Sequence, residues 1–284
     1  MTNPQILLLP LGTGVDEEAR IRGGLLVARN LGAHLRVMYS RANAYALMPE
    51  DLKMPTGVMR DMERAMNGHC DSEAQRLQAL FRQLCANAGF HVTRVIEDAP
   101  STASWFEADG LRSQLIGPYG RLSDWIVLAR PPLGQATVSF ANAVLETGRP
   151  VLVIPRRLQR FDARRIMFAW NCSAEATRAM DAALPLMKRA DHVVVVSSGD
   201  CNARKPGLQE LADYLRMKGV QAEYHVLPVD SGQTGPALIA TAERSDIALV
   251  VMGAVSQFNV RTRVVGGVTR FMLEKSTVPL LLSN

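Results

Sequence analysis

Short apolar runs alternate with amphipathic segments along the whole chain. The continuous apolar runs predict buried strands, and apolar residues spaced three and four apart predict helices between them. Strands that alternate with helices are typical of a parallel α/β sheet. In the first half, the predicted strands are 5–11, 34–39, 90–97, 125–129 and 151–154, with helices at 16–30 and 57–88.

The second half repeats this order. Its predicted strands are 165–170, 192–197, 221–227, 247–252 and a terminal strand at 280–282, and its helices are 174–189, 208–218 and 235–244. Short words match as well, since Ser123-Asp124 and Ser245-Asp246 both precede apolar runs. A repeat of about 125 residues is too long for a solenoid and predicts two tandem domains, 1–157 and 158–284.

Composition fits an ordinary globular protein. The 284 residues are 48% hydrophobic and 21% charged, which supplies enough apolar material for two cores and excludes a disordered chain. The longest apolar runs fall far short of the roughly 20 residues of a membrane span. Residues 1–12 lack the basic region of a signal peptide. We therefore expect a cytoplasmic protein that does not contact a membrane.

Charge and cysteine usage point to no further partner. The net charge is +5, and its densest cluster is Arg156-Arg157, Arg160 and Arg164-Arg165, where a solvated basic linker between the domains is the favoured interpretation over an anion-binding patch. We expect no nucleic-acid partner. The four cysteines have no metal-type spacing, and His69-Cys70 has no second ligand pair nearby, so we expect no metal site.

Three segments resemble a known family. They are RRIMFAWNCSAEATRAMDAALPLMKRA at 164–190, SDIALVVMGA at 245–254 and GGVTRFMLEKSTVPLLLS at 266–283. With them the chain resembles the universal stress protein family in its tandem two-domain form. The resemblance implies two Rossmann-like α/β domains of the adenine nucleotide alpha hydrolase-like type. Each would hold a five-stranded parallel sheet flanked by helices, and the last strands would pair in a pseudo-dimer.

One branch of that family binds ATP through a loop of the form G-2x-G-9x-G followed by Ser or Thr. The resemblance places Gly253 at the first glycine, Ser256 at the second, Gly266 at the third and Gly267 at the Ser or Thr position. Two of these four positions therefore differ from the family's pattern. Glycines in such a loop let main-chain amides approach phosphate oxygens, and the following helix adds the positive end of its dipole.

Further positions complete the implied site. Asn171 replaces the family's Asp after the first strand, which keeps an acceptor oxygen but loses the charge, and Ser173 in the same turn is retained. Thr269 is a candidate for the missing hydroxyl. The resemblance thus implies ATP with Mg²⁺ in the second domain, held at Asn171, Ser173, Gly253, Ser256, Gly266, Gly267 and Thr269. The alternative is that Gly266-Gly267 only starts a helix that packs tightly against the sheet.

The first domain lacks this loop. Pro131 and Pro132 follow its fourth predicted strand and remove two backbone donors, and Gly12 occupies the Asp position, so we expect no ATP there. Gly12-Thr13-Gly14 imitates the start of a dinucleotide motif, but Glu17 fills the place of the third glycine. A tight strand-to-helix turn is favoured. We interpret Glu17-Glu18 as part of a solvated face.

Three hypotheses for function follow. The leading one is a non-catalytic stress-response module that responds to an adenine nucleotide. The second is a nucleotide-free module that contacts an unknown protein partner, for which the long methionine-rich helix at 57–88 offers a surface, and a further homodimer stays open. The third is a slow ATPase. No GxSxG surrounds Ser173 or Ser256, and neither loop contains a histidine, which disfavours an enzyme.

Overall fold

A computed structural model describes residues 4–12, 14, 16–42, 55–94, 101–131, 134–199, 205–228, 231–254 and 266–284. The strands are β1 (Ile6–Leu11), β2 (His34–Arg41), β3 (His91–Val92), β4 (Thr102–Asp109), β5 (Trp125–Ala129), β6 (Val151–Ile154), β7 (Arg165–Ala169), β8 (His192–Ser198), β9 (Glu223–Leu227), β10 (Leu249–Gly253) and β11 (Leu280–Ser283). The helices are α1 (Glu17–Leu31), α2 (Thr56–Asn87), α3 (Arg112–Gly120), α4 (Val138–Glu146), α5 (Ala174–Met187), α6 (Leu208–Met217), α7 (Thr234–Arg244) and α8 (Gly267–Lys275).

All of these strands belong to one 11-stranded sheet. Its order is β3-β4-β2-β1-β5-β6-β11-β10-β7-β8-β9. Every neighbouring pair is parallel except β6 and β11, which run antiparallel with Leu152 opposite Leu281. The last strands of the two halves therefore join both sheets into one. The α/β fold class is confirmed, with the last strands paired as the resemblance implies.

A helix layer covers each face of the sheet, which explains the continuous apolar strands. Neighbouring strand residues point to opposite faces, and Leu7 and Leu8 are both fully buried because both faces are covered. One core contains residues from α1, α2, α5 and α6, and the other contains residues from α3, α4, α7 and α8. Each core includes residues of both halves, so the halves share their packing.

One strand prediction was wrong. Of the segment predicted at 90–97, only His91 and Val92 join the sheet, and residues 95–97 lie outside the described ranges. The third long strand is instead Thr102–Asp109, which the sequence did not predict. This strand pairs with β2 along one edge and with the short β3 near its start, so it is partly exposed and lacks an apolar run. The described residues of the first half accordingly form six strands rather than the expected five.

In the basic linker, Arg157, Arg160 and Arg164 are exposed, as expected, whereas Arg156 and Arg165 are half-buried. Asp162 accepts hydrogen bonds from Arg164, with Nη2 at 3.0 Å, and from Arg160. Arg156 lies 3.3 Å from Asp16 of the first half, and Arg165 donates a 2.6 Å hydrogen bond to the Ser245 carbonyl of the second. These contacts fix the linker to both halves. The boundary between 157 and 158 stays a prediction.

The long helix α2, Thr56–Asn87, matches the segment predicted at 57–88 to within one residue at each end. At 32 residues it is about 48 Å long. Met59 is buried, Met62 and Met66 are half-buried, and Met48 and Met54 lie outside the described ranges. Its use as a partner surface stays a prediction. Among the helices of the described ranges, none combines the length and apolar character that a membrane crossing requires.

Candidate functional site

The sheet has one switch point in its second half. From β7 the chain moves to β8 on one side, whereas β10 is followed by β11 on the other. Ligands of open α/β sheets bind in the crevice beyond the carboxyl ends of such strands. The fold brings the described residues of the predicted site to this edge: Asn171, Ser173, Gly253, Gly266, Gly267 and Thr269. Ser256 lies outside the described residues.

The turn after β7 is held by its own side chains. Asn171 Oδ1 accepts a 3.2 Å hydrogen bond from the Ser173 amide, and Cys172 between them has φ of 60°. Ser173 Oγ accepts from the Ala176 amide at 3.1 Å and thereby caps the start of α5. The oxygens of both predicted ligand residues are therefore used to shape the turn. Asn171 is nevertheless exposed at the crevice edge.

Gly253 is required by packing. A Cβ on this residue would lie 2.8 Å from the Ala176 nitrogen and 2.9 Å from Glu175 Cβ, both in the first turn of α5. Only glycine allows the end of β10 to approach the helix so closely. This close packing explains why position 253 is a glycine without reference to a ligand. The comparison with the family's loop motif did not suggest such a packing role.

Gly266 and Gly267 have no such requirement. A Cβ on either residue would meet no atom of the described residues within 4 Å, and Gly266 has φ of −54°, which any residue adopts. The alternative that the glycine pair only starts a helix packed against the sheet stays open, since α8 begins at Gly267 and buries Thr269, Met272 and Leu273. The first main-chain bond of α8 runs from the Arg270 amide to the Gly266 carbonyl. By helix geometry, the amides of 267–269 precede it and have no intrahelical acceptor.

The hydroxyl of Thr269 already donates a hydrogen bond within the protein. The side chain is 4% exposed, and Oγ1 donates a 2.6 Å hydrogen bond to the Ala254 carbonyl. The Ala254 amide in turn donates to the Ser283 carbonyl at 2.7 Å, which extends the ladder between β10 and β11. The hydroxyl thus ties α8 to the end of β10. Donation to a phosphate would require this hydrogen bond to break.

The matching crevice of the first domain, between β1 and β5, is covered by an arginine. Arg112, the first residue of α3, places Nη1 3.8 Å from the position that a Cβ on Gly12 would take. Its Nε donates a 3.4 Å hydrogen bond to Ser139 Oγ in α4. Farther along, Gly134 has φ of 66° and packs against Glu274 of α8. Pro132 and Leu133 lie outside the described ranges.

Glu17 differs from its prediction as part of a solvated face. Glu18 is exposed, but Glu17 is only 3% exposed because α1 begins directly at the crevice. Its Oε1 lies 2.9 Å from Arg20 Nη1, whereas Oε2 is buried and has no hydrogen-bond partner among the described residues. Burial raises the pKa of Glu17, against the opposing effects of Arg20, Arg112 and the Gly12 amide. Because Glu17 is next to another glutamate in the sequence, the pair was interpreted as solvated, and the burial of Glu17 was not predicted.

Burial also acts on the arginine that covers the crevice. It lowers the pKa of Arg112, and the nearby Arg20 adds to the effect while Glu17 opposes it. Such perturbed groups gather at ligand sites as well as in structural networks.

The described ranges contain no group of three His, Cys, Asp or Glu side chains that could hold a metal ion.

Comparison with known proteins supports the fold. The chain is similar to the solved structure of a universal stress protein from Archaeoglobus fulgidus DSM 4304, over 98% of each chain, with a TM-score of 0.74 and 13% identity. It is also similar to a Pseudomonas aeruginosa UCBPP-PA14 protein described as a universal stress protein, over 99% of this chain and 93% of that one, with a TM-score of 0.52 and 16% identity.

A third similar structure is a functionally unknown protein from Pseudomonas aeruginosa PAO1, with 14% identity, a TM-score of 0.53, and coverage of 99% of this chain and 92% of that one. No protein-family model and no curated protein sequence matches the chain. The likenesses show an α/β fold shared with solved structures of universal stress proteins. The resemblance of the sequence segments is confirmed at the level of the fold, and that likeness extends over 98% of the chain.

Proposed function

We propose that this chain is a non-catalytic stress-response module whose second domain binds ATP together with Mg²⁺. The observation that supports the proposal is that a Cβ on Gly266 or Gly267, at the start of a helix beside the switch point, would meet no atom of the described residues within 4 Å. Neither the backbone conformation of Gly266 nor packing against the described residues requires glycine there. A close approach of phosphate oxygens to the main chain supplies a reason for the pair.

In this proposal the phosphates are held by the main chain. The amides of 267–269 donate to phosphate oxygens, and the dipole of α8 favours their negative charge. The turn at 171–173 contacts the adenosine part, with the exposed side of Asn171 facing the base or ribose. Thr269 contributes by fixing the position of α8. When ATP is bound, its phosphates supply the negative charge at the start of α8, and Mg²⁺ binds together with the ATP.

The two domains differ in this respect. Arg112 covers the first-domain crevice, and the loop after β5 packs against α8 through Gly134. A nucleotide there would have to displace the arginine and break a contact between the halves. We therefore assign nucleotide binding to the second domain alone.

A second candidate is a nucleotide-free module that acts by protein contact. It is favoured by the internal hydrogen bonds of Asn171 Oδ1, Ser173 Oγ and Thr269 Oγ1, which satisfy the polar groups that a ligand would use. Under this candidate the glycine pair has no role in binding, and the long helix α2 is the surface for a partner.

Nucleotide content and binding separate these candidates. The protein is purified, heat-denatured and analysed by chromatography for released nucleotide. Equilibrium dialysis with labelled ATP and Mg²⁺ should then show about one site per chain. Gly266→Val and Gly267→Val should each weaken binding at least about tenfold, because the side chain occupies the space of a phosphate contact worth about 1.5–3 kcal/mol.

A matched control is Gly57→Val in α2, a glycine with similarly open surroundings that lies far along the chain from the site. It should leave ATP binding unchanged. Absence of saturable binding at millimolar ATP would favour the nucleotide-free module. Release of inorganic phosphate above background, lost in Gly266→Val, would instead show that the protein is a slow ATPase.

A further inference from the structure

The first-domain crevice contains ionic groups whose hydrogen bonds are incomplete. Glu17 Oε2 is fully buried and accepts no hydrogen bond within 3.5 Å from the described residues, although the Gly12 amide is close enough to lower the pKa of Glu17 and the partner oxygen Oε1 is bonded to Arg20. A buried acceptor without a donor costs about 1–3 kcal/mol. A fold keeps such a group where something else satisfies it, or where it has a function.

Donors are in excess at the same edge of the sheet. The guanidinium of Arg112 makes a single hydrogen bond among the described residues, the long one to Ser139, although it has five N–H donors. Glu17 and Arg112 interact electrostatically, yet no ion pair within 4 Å joins them in the described part of the chain. At the end of the neighbouring strand β5, Arg130 Nε and Nη2 are also buried without a partner among those residues.

These groups specify the chemistry of a ligand. Arg20 and Arg112 both act electrostatically on Glu17, so two positive charges stand against its single negative charge and an anion is favoured. Guanidinium groups bind oxyanions in a planar, multidentate manner. The free Oε2 of Glu17 is an acceptor when ionised, and it therefore requires that the ligand also donates a hydrogen bond.

We propose that the first domain binds a small oxyanion that still carries a proton, such as hydrogen phosphate, between Arg112 and Glu17 at the carboxyl end of β1. Arg112 donates to the unprotonated oxygens, and Arg20 holds Glu17 Oε1 so that Oε2 receives the O–H of the ligand. A Cβ on Gly12 would lie 3.1 Å from Ser40 Oγ and 3.8 Å from Arg112 Nη1, so the guanidinium lies close to the end of β1. The site is separate from the nucleotide site proposed for the second domain.

Phosphate and sulfate together test this assignment. Isothermal titration calorimetry of the nucleotide-free, full-length chain should show saturable binding of about one inorganic phosphate. Sulfate has no proton at neutral pH and would leave Glu17 facing an anion without a hydrogen bond. Phosphate should therefore bind at least about tenfold more tightly than sulfate at equal ionic strength. Bicarbonate, which also carries a proton, should compete with phosphate.

The variants have opposite expected effects. Arg112→Gln should weaken phosphate binding at least about tenfold, whereas Arg22→Gln, which removes the same charge from an exposed side chain of α1, should not. Glu17→Gln should reduce the preference for phosphate over sulfate to near one, a change that partial unfolding would not produce. Arg20→Gln provides a second site variant if Arg112→Gln folds poorly.

Three results would overturn the proposal: no saturable phosphate binding, binding that is unchanged in a folded Arg112→Gln variant, or equal binding of phosphate and sulfate by the native chain. The first two would mean that Arg112 simply closes the crevice. Gly266→Val should leave phosphate binding intact, so a failure of this site and a failure of the nucleotide site can be told apart.

Discussion

The hydroxyl of Thr269 donates a 2.6 Å hydrogen bond to the carbonyl oxygen of Ala254, fifteen residues earlier in the chain. Both residues are buried, and the bond connects the first turn of α8 with the end of β10. The two ends of the segment 255–265 are thereby held together by a side chain. The threonine that the motif comparison assigns to a phosphate thus has a structural role in this arrangement.

Substitution of Thr269 should affect stability more than nucleotide binding. Thr269→Val removes the donor and leaves the buried Ala254 carbonyl without it, which should lower the free energy of unfolding by about 1–3 kcal/mol in urea titrations. Thr269→Ser keeps the hydroxyl and should cost less. If the main chain holds the phosphates, both variants should keep ATP affinity within about threefold. A selective loss of ATP binding in Thr269→Val would show that the hydroxyl contacts the nucleotide.

The glycines of the second-domain loop should respond differently to alanine. Gly253→Ala forces a Cβ against the backbone of α5 and should lower the free energy of unfolding by about 1–3 kcal/mol, as overpacking does. Gly267→Ala places a methyl group in open space on a helix and should be neutral or stabilising by up to about 1 kcal/mol. Chemical denaturation of the two variants checks this. Equal destabilisation would contradict the packing difference between the two sites.

Asp162 should contribute stability that disappears in acid. Hydrogen bonds from Arg164, with Arg160 contributing, lower the pKa of Asp162 to about 2, below its ordinary value of 3.8. The folded state thus favours the ionised form. The contribution is fully present above pH 3.8 and is lost as the pH falls through about 2. Asp162→Asn should therefore unfold more easily than the native chain at pH 7, and the difference should vanish toward pH 2. A constant difference across this range would contradict the ion-pair assignment.

His34 should titrate far below an ordinary histidine. It is 4% exposed, and its ring nitrogens lie 2.8 Å from Thr102 Oγ1 and 2.9 Å from Ser104 Oγ. Burial, with Arg36 contributing, lowers the pKa of His34 from 6.5 to about 4. Because the folded state favours the neutral ring, this contribution is present above pH 6.5 and is lost as the pH falls toward 4.

Nuclear magnetic resonance can follow this group. The ring protons of His34 should shift with a midpoint near pH 4, and the free energy of unfolding should decrease between pH 6.5 and 4. In His34→Gln that part of the decrease should be absent. A midpoint near 6.5 for His34 in the folded chain would show that the ring is open to solvent.

Periodicity and apolar runs predicted most of the central strands because burial on both faces leaves a clear signature in sequence. Thr102–Asp109 was missed since this strand is partly exposed near the sheet edge and mixes polar with aromatic residues. In the candidate site, comparison with the family's loop motif predicted Gly253 and Thr269 as ligand contacts from their positions in the sequence. Their observed roles, a close approach to α5 and a hydrogen bond to Ala254, depend on neighbours distant in sequence.

The sequence by itself determined the α/β class and the internal repeat. Both follow from local spacing, since helices and strands have fixed periods and a repeated order of elements repeats the fold. The positions of a nucleotide loop are a prediction that comes only from the resemblance to the universal stress protein family. Only the tertiary structure decided that Glu17 is buried and that Thr102–Asp109 pairs with β2 as the third long strand of the first half. Burial and long-range pairing depend on which distant segments meet, and that is settled by packing of the whole chain rather than by any single segment.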